Sequence, residues 1–145
     1  MYLLNIFDNS LKYKDMCKLV TVIHPKESLF ENKVIKRLSE RRAGKNDTVA
    51  IVNYGEGSVV MNLEKYDIID YQGEIDKLKE LKYNSVFAHL PISKIGTYKT
   101  LLAVSDLIVL SSLSPVVNLN DFNLNGFDFE NKKLIERTTI VFQER

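Results

Sequence analysis

The chain has 145 residues, with 20 Lys+Arg against 19 Asp+Glu, 45% apolar residues, 10% aromatics and a single cysteine. A single domain of this size buries roughly two-thirds of the surface its unfolded form exposes, so its core needs no disulfide or structural metal. One Cys and two His supply neither a bridge nor a four-ligand zinc site. A net charge of +1 argues against coating nucleic acid through bulk charge, and the absence of a run of about 18 apolar residues argues against a membrane span; a cytoplasmic protein without cofactor or metal is expected.

In chain order, Tyr2 to Asp8 is a short apolar run that predicts a strand, closed by the turn formers Asp8-Asn9-Ser10, and Met1 to Phe7 is too short for a signal peptide. Cys17 to His24 is β-branched through its centre and apolar on both faces, as a strand buried between layers must be. Pro25 ends it. Lys26 to Arg42 carries Phe30, Val34 and Leu38 at steps of four with Ile35 beside them, which predicts an amphipathic helix stopped by Gly44.

Thr48 to Tyr54 and Ser58 to Leu63 flank Gly55-Glu56-Gly57, a pattern that predicts a hairpin, with Lys65 to Tyr71 extending the meander. Gly73 to Leu81 reads as a short helix and Ser85 to Leu90 as a strand ending at Pro91. Thr97 to Ser105 fits helix or strand, Asp106 to Ser111 a buried strand, and Lys133 to Gln143 a final strand. Gly55-Glu56-Gly57 leads into a strand, so no dinucleotide or phosphate loop is present. The expected fold class is therefore α+β, with antiparallel sheets and flanking helices in one domain.

Charge is uneven along this order. Residues 1–45 hold ten Lys/Arg and five Asp/Glu, which leaves ten and fourteen for residues 46–145. The excess gathers at Lys33, Lys36, Arg37, Arg41 and Lys45, a basic patch that could grip nucleic acid or an acidic partner, or simply complement a helix C-terminus. Asp121 to Glu130 alternates polar and apolar residues. It reads as a strand edge or loop that could pair with another chain, or whose three Phe enter the core.

The stretch from Cys17 to Gly96 resembles the front half of a class II glutamine amidotransferase, the glutaminase domain of the N-terminal nucleophile hydrolases. Cys17 opens an apolar strand. Arg42-Ala43-Gly44-Lys45-Asn46-Asp47-Thr48 stands in the place of the R-G-x-D-S segment, and Phe87-Ala88-His89-Leu90-Pro91 in that of G-H-V-R-Y. The resemblance implies a shortened Ntn-hydrolase-like sandwich over residues 17–96, with 1–16 as an extension or propeptide-like segment. It implies Cys17 as nucleophile, Arg42 and His89 as substrate-binding, and Asn125-Gly126 as the remnant of an oxyanion-hole H-N-G motif.

Three departures bear on activity. The family's nucleophile uses its own free α-amino group as base, which Cys17 would own only after removal of residues 1–16. Lys18 replaces the small residue after the nucleophile, and Pro91 replaces the arginine that clamps the substrate carboxylate. The expectation is a catalytically inactive relative serving as a protein-interaction or regulatory module, with a protein partner or a homodimer. The alternatives are a Cys-dependent glutamine amidohydrolase revealed by processing, and nucleic-acid binding through the basic helix.

Overall fold

The computed structural model describes residues 17–24, 31–43, 47–55, 67–112 and 119–142. Its centre is one six-stranded sheet built from β1 (Leu19–His24), β2 (Val49–Asn53), β3 (Asp67–Ile69), β4 (Ser85–Pro91), β5 (Leu107–Ser112) and β6 (Thr138–Phe142). The spatial order is β3-β2-β4-β1-β5-β6, and every neighbouring pair is parallel. The helices are α1 (Glu31–Ala43), α2 (Lys99–Val104), α3 (Leu119–Leu124) and α4 (Lys132–Ile135), with 3-10 turns at Ile75–Glu80 and Ile92–Lys94.

This overturns the antiparallel α+β expectation and the sandwich that went with it. The predicted hairpin fails for a geometric reason: β2 has β3 on one edge and β4 on the other, both parallel, so neither edge is open to an antiparallel return strand. Ser58 to Leu63 lies outside the described residues, as does the predicted strand Tyr2 to Asp8. The segment read as an extension of the meander instead forms β3, a three-residue edge strand whose shortness and Asp67 discourage further pairing.

Alternation along the strands sorts the core into two layers. Leu19 and Ile23, Ala50 and Val52, Val86, Ala88 and Leu90, and Ile108 and Leu110 face Leu78, Leu101, Leu102, Phe122 and Leu134 from the 3-10 turn, α2, α3 and α4. Val20 and Val22, Ile51, Phe87 and Val109 face Ile35 and Leu38 of α1 on the other side. Right-handed crossovers require this division: β1 to β2 moves one way across the sheet, whereas β3 to β4, β4 to β5 and β5 to β6 move the other way. Strands covered on both faces read as continuous apolar runs, which is what Cys17 to His24 and Ser85 to Leu90 show in sequence.

Helix α1 buries Ile35, Leu38, Ser39 and Arg42, the i, i+3, i+4, i+7 stripe of one helix face, and exposes Lys36, Arg37, Glu40 and Arg41. Arg41 and Arg42 occupy the last turn, where positive charge complements the helix dipole.

A hydroxyl relay ties β1 to the end of α2. Ser105 Oγ donates to the Leu101 carbonyl at 2.6 Å, so the 2.6 Å contact between Thr21 Oγ1 and Ser105 Oγ must be a donation from Thr21. Both residues are fully buried. Ser105→Ala therefore strands the Thr21 hydroxyl and is expected to cost about 1–3 kcal/mol, whereas Thr21→Val leaves Ser105 still bonded to Leu101 and is expected to cost less than about 1 kcal/mol. Urea denaturation of the two variants checks the asymmetry; equal costs would contradict the assigned donor direction.

Candidate functional site

A parallel sheet has a carboxyl edge and an amino edge, and the two separate the residues singled out for glutaminase chemistry. Cys17 stands two residues before the start of β1 at the amino edge and is buried. Arg42 reaches the same edge, in the last turn of α1, where its carbonyl accepts from Asp47 N at 3.3 Å just ahead of β2. His89 pairs in register with Val22, five residues along β1 from Cys17, which places it about 16 Å up the sheet at the usual rise per residue. Cys17 and Arg42 are thus not brought together with His89.

Asn125 and Gly126 form the turn after α3. Asn125 Nδ2 donates to the Asp121 carbonyl at 2.7 Å, which ties this amide group to its own helix. Gly126 has φ +103°, a backbone conformation that side-chain-bearing residues rarely adopt, so the turn favours glycine for its conformation.

At the carboxyl edge the structure makes a pairing that the sequence reading missed. Asn53 Oδ1 accepts from Gly55 N at 2.9 Å and contacts His89 Nδ1 at 2.8 Å. A backbone N–H only donates, so the Asn53 atom is the carbonyl oxygen and His89 must donate through Nδ1, which fixes the imidazole tautomer. Tyr54 N donates to the His89 carbonyl at 2.9 Å, and Lys94 Nζ to the Tyr54 carbonyl at 3.1 Å. The Tyr54 and Tyr98 rings pack with centroids 4.8 Å apart. Burial, reinforced by Tyr71 and Tyr98, pushes the Tyr54 phenol up to about 12, so it stays protonated at neutral pH. His89 is only 5% exposed, and these bonds lock the ends of β2 and β4 together. The local signal was the Asn-x-Gly sequence at 53–55, which favours an Asx turn.

The basic patch divides in the same way. Lys36, Arg37 and Arg41 are exposed on α1, but Glu40 lies among them and pairs with Lys36 at 4.0 Å. Arg42 turns inward. Lys45 and the side chain of Lys33 lie outside the described residues.

The segment read as an alternating strand edge is helix α3 followed by turns. Phe122 and Phe127 enter the core, and Phe129, half-buried, packs on Phe127 with ring centroids 4.6 Å apart. Among the exposed polar side chains of this segment, Asn120, Asp121, Asn123, Asp128 and Glu130, two apolar ones also face outward: Leu119 is 44% exposed and Leu124 74%, with Ile135 of α4 also exposed. An open groove of about 620 Å³ lies here, lined by Leu119, Asn120, Asn123, Asp128, Phe129 and Glu130. Asp128 Oδ1 accepts from Glu130 N at 3.0 Å and so shapes the turn that forms one wall.

No family model matches the chain, and no curated protein matches it. Among the described residues no helix is long and apolar enough to cross a membrane.

Proposed function

We propose that the chain is a non-catalytic protein-interaction module whose contact surface is the outer face of α3 and the turns that follow it. The observation that carries this reading is the outward placement of Leu119 and Leu124, the two most exposed large aliphatic side chains among the described residues, with Leu119 lining a groove that Phe129 also lines. The non-catalytic part is supported by the distance between Cys17 and His89, which lie toward opposite edges of the sheet. Burying a leucine side chain contributes about 1.5–3 kcal/mol, and such apolar anchors, clustered at the centre of an interface, carry most of its binding energy.

Replacing both exposed leucines, Leu119→Ser with Leu124→Ser, is expected to weaken partner binding about 100-fold or more while changing stability by only about 0.5 kcal/mol per site. The test compares proteins retained from cell extract by the parent chain and by this double variant, with thermal unfolding as the folding control. A partner held by the parent and lost by the double variant supports the reading. Identical retention by both, or no specific partner for either, contradicts it.

A further inference from the structure

We draw no further inference here: the strongest candidate, the apolar surface patch of Leu119 and Leu124 on α3 with the groove that Leu119 and Phe129 line, belongs to the site already described, and nothing in the structure shows what covers it.

Discussion

Replacing Phe87 with alanine is expected to cost about 3–5 kcal/mol, against the roughly 5–15 kcal/mol that holds a typical domain folded. Phe87 is fully buried at the middle of β4, a strand with β1 on one side and β2 on the other. Its ring belongs to the α1 side of the core with Val20, Val22, Ile51, Ile35 and Leu38. Removing it leaves a cavity between a sheet and a helix that are each fixed by other contacts, so the space cannot collapse cheaply. Urea denaturation should show a lowered midpoint with an unchanged slope. A cost below about 1 kcal/mol would mean that the side chain is not enclosed between sheet and helix.

The second large effect is expected at the amino edge. Asp106 Oδ2 accepts from the backbone N–H groups of Lys18 and Leu19, each at 3.0 Å, and Oδ1 accepts from Lys79 Nζ at 2.6 Å. Its own N–H donates to the Leu19 carbonyl at 2.9 Å, so one residue clamps the entry of β1 to that of β5. Asp106→Ala releases two backbone donors at once and is expected to cost about 2 kcal/mol, discounted for the partial exposure of the carboxylate. Lys79→Met removes only a half-exposed ion pair and is expected to cost less than about 1 kcal/mol.

The same clamp sets a pH dependence. Burial acts to raise the Asp106 carboxyl, but the hydrogen bond and charge of Lys79 and the amides of Leu19 and Lys18 outweigh it and hold the group below its ordinary 3.8. A carboxyl depressed by folding stabilises the native state above the unfolded pKa and loses that contribution as pH falls through the folded pKa. The stability difference between the parent chain and Asp106→Ala should therefore be full at pH 6 and shrink below about pH 4. A difference that grows on acidification would contradict the assignment.

Much of the element content was legible in the sequence. The strands at 19–24, 85–91 and 107–112 are continuous apolar runs, and the stripe of α1 follows helical spacing, because each is fixed by local periodicity. The direction of the strands was not legible in the same way. Absence of a glycine-rich phosphate loop counted in the reading against a parallel sheet, yet such a loop belongs to a ligand site and the sheet needs only crossovers to form. Runs apolar on both faces were the better guide, since antiparallel sheets usually leave one face to water.

Short helices were hidden for a related reason. Lys133 to Gln143 read as a single strand, but Asn131 caps α4 by accepting from Leu134 N at 3.2 Å, and β6 begins only at Thr138. The alternation of Asp121 to Glu130 suggested an edge strand, whereas Gly126, at positive φ, breaks it into a helix and a turn that send Phe122 and Phe127 to the same core. The Asn53 and His89 contact joins residues 36 positions apart. Nothing local in either residue specifies that partner, and only the β2 and β4 register brings them level.

The separation of Cys17 from His89, and with it the non-catalytic reading, depends on the strands running in one direction. Cross-strand proton contacts by nuclear magnetic resonance test this most directly. Amide and α-proton contacts following the parallel registers Ile51 with Phe87 and Val22 with Val109 are expected, without strong contacts between facing α-protons. Strong α-proton contacts linking Val49–Asn53 to Ser58–Leu63 would establish the antiparallel hairpin instead and remove the scaffold on which the account is built.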